Sequence, residues 1–191
     1  MNKKDWLSIP NILSMIRILL IPVFAWSYLT AGDDRDYLFA AIVVVVSGVT
    51  DFLDGTIARK FGMITELGKF LDPLADKFLV LGALLALLKK YSAELGDLLV
   101  WVTLVVILRE LAVTSLRLVA VNKSGKVIAA SIWGKLKTVS QMVAIICVFL
   151  EPVIITPYIH TPAYLLSYIT LVFMMVTTIF SGVDYFVKFL K

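Results

Sequence analysis

Residues 51–76 read DFLDGTIARKFGMITELGKFLDPLAD, and four aspartates in this stretch decide both the fold and the chemistry. Asp51 and Asp54 are three residues apart, and Asp72 and Asp76 are four residues apart. Side chains at these spacings lie on one face of a helix. The stretch therefore predicts two neighbouring helices, each with a pair of carboxylates on one face.

The rest of the chain is apolar enough to predict an integral membrane protein. Of its 191 residues, 60% are hydrophobic, whereas soluble domains have about 45–50%. Roughly six spans of about 20 residues would use most of this length, which predicts a single domain over 1–191. One cysteine excludes an intrachain disulfide, and one histidine disfavours histidine-based zinc or triad chemistry. The net charge of +4 suits anionic lipid headgroups rather than nucleic acid.

Apolar stretches predict an all-α bundle of six transmembrane helices. Their predicted bounds are 11–30, 37–59, 68–88, 98–121, 131–150 and 163–189. Asn11 follows Pro10 and is a suitable N-cap for the first helix. Residues 1–8 carry Trp6 and Leu7 beside two lysines, a pattern that fits either a short interfacial helix or a polar tail.

The distribution of lysine and arginine predicts the orientation in the membrane. Basic residues gather at both termini, at 59–60 and across 117–137, whereas the opposite loops carry three, beside several acidic residues. Cytoplasmic loops carry the excess of basic residues. Both termini and all four aspartates are therefore predicted to lie on the cytoplasmic side.

The four carboxylates require a compensating charge. The short connection 60–67 predicts that the two helices are antiparallel neighbours, so their carboxylates converge. An ionised carboxylate at membrane depth costs several kcal/mol unless its charge is balanced. Two divalent ions carry four positive charges and would balance the four carboxylates. Oxygen ligands select Mg²⁺ or Mn²⁺ over zinc. The alternatives are that an aspartate acts as a proton relay or pairs with a lysine, and that Gly55 and Ala58 serve only close helix packing.

The spacing of eight residues resembles the complete signature of the CDP-alcohol phosphotransferase family. The matching positions are Asp51-x-x-Asp54-Gly55-x-x-Ala58-Arg59, eight further residues, and Gly68-x-x-x-Asp72-x-x-x-Asp76. Segment 9–17 resembles the N-terminal element of the family, and segments 109–118, 134–138 and 181–186 resemble its bacterial branch that makes phosphatidylglycerophosphate. The resemblance therefore extends over most of the chain.

The resemblance implies transfer of a phosphatidyl group from CDP-diacylglycerol to an alcohol, with release of CMP. It implies that Asp51, Asp54, Asp72 and Asp76 hold two divalent ions and that Asp76 is also the general base. It implies a homodimer in the bacterial cytoplasmic membrane. The candidates for donor binding are Asn11, Ser14, Gly55, Ala58, Arg59, Thr65 and Gly68.

Basic residues of two later helices predict an anionic acceptor. Arg109, Arg117, Lys135 and Lys137 are predicted near the cytoplasmic face, and glycerol 3-phosphate suits their charge. Lys135 and Lys137 also fit simple membrane anchoring, and Glu110 could neutralise Arg109. Two other functions stay open: a cardiolipin synthase, in which phosphatidylglycerol is the acceptor, and a cation or proton transporter.

Overall fold

The computed structural model describes residues 9–30, 42, 46, 66–124, 132–156, 162 and 164–190, and every regular element in this part is helical. The elements are α1 (Ile9–Thr30), α2 (Glu66–Lys90), α3 (Gly96–Ser124), α4 (Ile132–Leu150), a π-helical turn (Glu151–Ile155) and α5 (Leu165–Leu190). The predicted all-α class is confirmed. The chain divides after Lys90 into two compact units, the first ending at Lys90 and the second beginning at Tyr91.

The predicted helix ends agree with the structure to within three residues wherever they can be compared. The second predicted helix, 37–59, lies outside the described residues apart from Ile42 and Val46, which are helical. The predicted interfacial segment 1–8 also lies outside them. One correction concerns Asn11, which lies inside α1 and is fully buried, so it is not the cap of this helix.

Four of the described helices are long and apolar enough to cross a membrane. They are Asn11–Thr30, Gly96–Ala120, Ile132–Leu150 and Leu165–Leu190. The predicted span in α2 differs from them, because its first half carries Asp72, Asp76 and Lys77. The chain is therefore a membrane protein in which one helix combines an apolar half with a charged half.

In the first unit, α1 packs against α2 through a face that changes from polar to apolar. The buried residues of α1 recur every three or four positions and are Asn11, Ser14, Arg17, Ile21, Phe24 and Tyr28. Ser14 contacts Asp72 near one end of the pair, and Ile21 lies beside Gly82 farther along. From the first contact to the second, the residue number rises in both helices, from 14 to 21 in α1 and from 72 to 82 in α2, so α1 and α2 run parallel.

Gly82 allows this close approach, and its replacement by alanine is expected to destabilise the first unit. A Cβ at Gly82 would lie 2.6 Å from Cγ2 of Ile21, whose branched side chain has few alternative rotamers in a helix. We expect Gly82→Ala to cost about 1–3 kcal/mol. Thermal unfolding in detergent measures this cost. Combining it with Ile21→Ala should give less than the sum of the single losses, and strict additivity would contradict the predicted clash.

In the second unit, α5 packs against both α3 and α4. Arg109 of α3 contacts Ser181 of α5, and Glu94, just before α3, contacts Tyr168, so these two helices run parallel. Ser140 of α4 shares a hydrogen bond of 2.7 Å with Thr177 of α5. Glu151, in the turn that follows α4, bonds Ser167 near the start of α5, so α4 is antiparallel to α5 and therefore to α3.

A buried carboxylate joins α4 to the start of α5. Glu151 is fully buried in the π-helical turn. Its two oxygens accept the backbone N–H groups of Leu166 at 2.9 Å and Ser167 at 2.6 Å, and Oε2 also accepts the Ser167 hydroxyl. The first N–H groups of a helix have no partner within the helix and attract negative charge. Glu151 therefore caps α5 from a neighbouring element.

Candidate active site

A hydrogen bond between α1 and α2 defines the centre of the candidate site. The Ser14 hydroxyl donates to Oδ1 of Asp72 at 2.5 Å. Ser14 is almost fully buried, and Asp72 is partly buried. The two residues are 58 positions apart in the chain, so the contact depends on the parallel packing of the helices. It fixes the orientation of a carboxylate that the sequence predicted as a metal ligand.

Asp76 follows Asp72 by one helical turn, and Gly68 precedes it by one turn. All three lie on one face of α2 because they are four residues apart. Asp76 is partly buried and Gly68 is buried. This face of α2 therefore carries two carboxylates beside a position that has no side chain, as the sequence predicted.

The polar end of α1 contributes two further buried side chains. Asn11 and Arg17 lie one turn on either side of Ser14, and their relative exposures are 0% and 3%. An arginine near a helix end can extend its side chain towards the membrane surface, but the burial of Arg17 excludes an exposed, extended side chain. Its positive charge lies on the same face of α1 as the Ser14 hydroxyl that binds Asp72.

The other predicted donor and metal residues lie outside the described residues. They are Asp51, Asp54, Gly55, Ala58, Arg59 and Thr65. In the described ranges, no group of three potential metal ligands comes together. The donor chemistry of the residues that are described nevertheless fits Mg²⁺ or Mn²⁺, because both carboxylates offer hard oxygens. A hydroxyl that orients a carboxylate, as Ser14 does, is typical of the surroundings of metal ligands.

The second unit contains three charged side chains and one hydroxyl that bond one another, which we call the cationic cluster: Arg109, Glu110, Lys137 and Ser181. Oε1 of Glu110 accepts hydrogen bonds from Nη1 of Arg109 at 2.9 Å and from Nζ of Lys137 at 2.5 Å. Nη2 of Arg109 donates to the Ser181 hydroxyl at 2.7 Å. The three ionised side chains have relative exposures of only 9–14%. The structure thus brings together two of the four predicted acceptor residues.

The remaining two acceptor candidates, Arg117 and Lys135, are exposed. Sequence reasoning recognised Glu110 only as a neutralising charge, and it assigned no role to Ser181. A signal for Ser181 was present in the Ser181-Gly182 pair of segment 181–186. A Cβ at Gly182 would lie 3.3 Å from Cγ of Arg109, so glycine here leaves room for the arginine to reach Ser181.

A family model described as CDP-alcohol phosphatidyltransferase matches residues 7–182. The match extends over most of each unit and includes every candidate site residue from Asn11 to Ser181.

Curated relatives extend this similarity over nearly the whole chain. The CDP-diacylglycerol–glycerol-3-phosphate 3-phosphatidyltransferase of Bacillus subtilis (strain 168) is 37% identical, over 95% of this chain and 94% of the relative. The probable phosphatidylglycerophosphate synthase of Mycobacterium tuberculosis (strain CDC 1551 / Oshkosh) is 36% identical, over 96% and 82%. A CMP-forming cardiolipin synthase of Streptomyces coelicolor is 41% identical, but over only 54% of this chain and 47% of that protein.

Proposed function

The chain belongs to the CDP-alcohol phosphatidyltransferase family, and from that premise we propose that it transfers a phosphatidyl group from CDP-diacylglycerol to glycerol 3-phosphate. The products are phosphatidylglycerophosphate and CMP. The observation that carries this proposal is the carboxylate face of α2, where Ser14 holds Asp72 and Asp76 lies one turn farther on. The two relatives that carry this activity in their names match nearly the full chain.

In the proposed reaction, an acceptor hydroxyl attacks the phosphatidyl phosphorus of the donor. The new P–O bond forms as the bond to the CMP phosphate breaks, and CMP leaves with that electron pair. Asp76 accepts the hydroxyl proton, which requires a carboxylate within hydrogen-bond reach of the acceptor. Asn11, Ser14, Arg59 and neighbouring small residues would bind the CDP group.

We propose that Asp51, Asp54, Asp72 and Asp76 hold two divalent ions, either Mg²⁺ or Mn²⁺. Bound ions would neutralise the negative charge that develops on the departing CMP. Supporting observations are the oxygen donors of α2 and the hydroxyl that orients one of them.

The cationic cluster is proposed to select the acceptor by charge. A phosphate monoester such as glycerol 3-phosphate carries about −1.5 to −2 charges at neutral pH, whereas the phosphodiester of phosphatidylglycerol carries one. Two cations from α3 and α4, held within one cluster, suit the more highly charged group. The shorter match to a cardiolipin synthase keeps phosphatidylglycerol as the second candidate acceptor.

An acceptor assay tests the proposed function. Purified protein in liposomes receives CDP-diacylglycerol and Mn²⁺ with either glycerol 3-phosphate or phosphatidylglycerol, and both CMP and the lipid product are measured. We expect CMP and phosphatidylglycerophosphate to form in equal amounts with glycerol 3-phosphate. Product with phosphatidylglycerol alone would identify a cardiolipin synthase, and ion flux without CMP release would identify a transporter.

We further propose six spans in one domain, with both termini and the site on the cytoplasmic side. The parallel arrangement of α1 and α2 supports this topology, because residues 31–65 have to connect opposite ends of the helix pair. The predicted helix 37–59 is long enough to do so at about 1.5 Å per residue. The homodimer implied by the family resemblance stays a prediction.

A further inference from the structure

We propose that Glu110 is a positioning residue that holds Arg109 and Lys137 together as a preformed binding site for the acceptor phosphate. This inference rests on the proposed function, since it assigns a role to Glu110 within the acceptor site. Both cations bind the same oxygen atom, Oε1 of Glu110. Nη1 and Nζ are therefore no more than 5.4 Å apart, which is the sum of their two distances to that oxygen.

This spacing suits a phosphate. The oxygen of Glu110 already bridges the two cations by accepting one charge-assisted hydrogen bond from each. A phosphate oxygen accepts the same kind of bond from arginine and lysine at similar distances. The two cations and one carboxylate leave a net charge of +1 in the cluster, so an anion remains electrostatically favoured there.

Without the carboxylate, the two cations would repel each other. Arg109 and Lys137 belong to different helices, and their side chains are mostly shielded from solvent, where like charges repel each other more strongly than in water. If Arg109 and Lys137 lay apart, binding of the acceptor would cost the free energy needed to bring the two cations together and to order their long side chains. The carboxylate removes that cost before the acceptor binds.

Ser181 supports the same arrangement from the third helix. Its hydroxyl accepts a hydrogen bond from the second terminal nitrogen of Arg109, and its relative exposure is 1%. Arg109 is thus held through Nη1 by Glu110 and through Nη2 by Ser181. A planar guanidinium that is fixed at two nitrogens has a defined direction, which long cationic side chains otherwise lack.

Glu110 could act by reducing the positive charge of the cluster or by positioning the two cations. The two roles predict opposite effects of one substitution on acceptor affinity. Glu110→Gln keeps the shape of the side chain but raises the net charge of the cluster from +1 to +2. If Glu110 only reduced the positive charge, the variant would bind the anionic acceptor more tightly. If Glu110 positions the cations, the variant binds the acceptor more weakly despite the additional charge.

The experiment measures kcat and both KM values for wild type, Glu110→Gln and Ser181→Ala in liposomes. We expect Glu110→Gln to raise the KM for glycerol 3-phosphate roughly tenfold, as the loss of a charge-assisted hydrogen bond would. The KM for CDP-diacylglycerol should change less than about twofold. Inorganic phosphate, tested as a competitive inhibitor, should show a Ki that rises by the same factor. Ser181→Ala should also raise the KM for glycerol 3-phosphate and the Ki of inorganic phosphate, but by a smaller factor.

Thr178→Val is the matched control. It also removes a buried hydroxyl from α5, but that hydroxyl donates to the backbone carbonyl of Met174 and not to a residue of the cationic cluster. An unchanged or lower acceptor KM in Glu110→Gln would overturn the proposal, as would equal effects of Ser181→Ala and Thr178→Val. If Glu110→Gln does not fold, the comparison of Ser181→Ala with Thr178→Val decides. Failure of the wild type to use glycerol 3-phosphate would instead contradict the proposed function.

Discussion

Replacement of Asp76 by asparagine is expected to lower kcat by about 10²–10⁴-fold, the usual contribution of a general base. Asparagine has nearly the same size as aspartate and keeps one oxygen, but it does not accept a proton from an alcohol. Asp76 is partly buried on α2, one turn beyond the carboxylate that Ser14 holds. The packing of α1 and α2 should therefore survive the substitution.

CMP release at saturating concentrations of both substrates measures this effect. Binding of CDP-diacylglycerol, measured separately by titration calorimetry in detergent, should change by only a few fold. Asp184→Asn is the matched control, because Asp184 also lies on a helix but bonds the exposed Lys188 one turn away. Turnover by Asp76→Asn equal to that of wild type would remove the assignment of Asp76 as the base.

The carboxylate face of α2 could be predicted from the sequence because its pattern is local. Spacings of four residues on a helix place Gly68, Asp72 and Asp76 on one face regardless of what packs against them. The helix ends were also predictable, since runs of apolar residues end at charged residues and glycine. These signals depend on neighbouring residues in the chain, and the structure agrees with them.

Contacts between distant segments could not be predicted in the same way. Asn11 fits the sequence pattern of a cap, but α1 begins before it and buries its side chain. Glu110 pairs with Lys137, which is 27 residues away, so the pairing depends on how α3 and α4 meet. Glu151 likewise caps α5 although it belongs to another element. Each case required the tertiary arrangement, which no local pattern in this chain specifies.

Replacement of Asp72 by asparagine is expected to have the second large effect, through the binding of divalent ions. The substitution removes one negative charge from a proposed metal ligand, and the remaining amide oxygen is a weaker ligand for a hard cation. We expect the Mn²⁺ concentration for half-maximal activity to rise by more than about 100-fold. Loss of a residue that only orients a metal ligand usually costs less, about 10–100-fold in metal affinity. Activity at saturating substrates should be restored in part by high Mn²⁺.

Ser14→Ala provides a graded comparison for this effect. It leaves the carboxylate in place but removes the hydroxyl that orients Oδ1. Loss of such a partner usually costs about 10–100-fold in metal affinity, so Ser14→Ala should lie between Asp72→Asn and wild type. Ser27→Ala is the control on the same helix, because the Ser27 hydroxyl bonds only the carbonyl of Phe24, one turn before it, among the hydrogen bonds resolved for that side chain.

Direct binding of Mn²⁺ separates this explanation from a general loss of fold. Electron paramagnetic resonance reports free Mn²⁺ without requiring turnover, and thermal unfolding of each variant reports stability. We expect Mn²⁺ affinity to decrease from wild type to Ser14→Ala and further to Asp72→Asn, whereas Ser27→Ala should have the affinity of wild type. Equal affinity of all four proteins would show that the hydrogen bond between α1 and α2 is purely structural. The hydroxyl of Ser14 would then serve helix packing, and the ions would have to bind elsewhere in the chain.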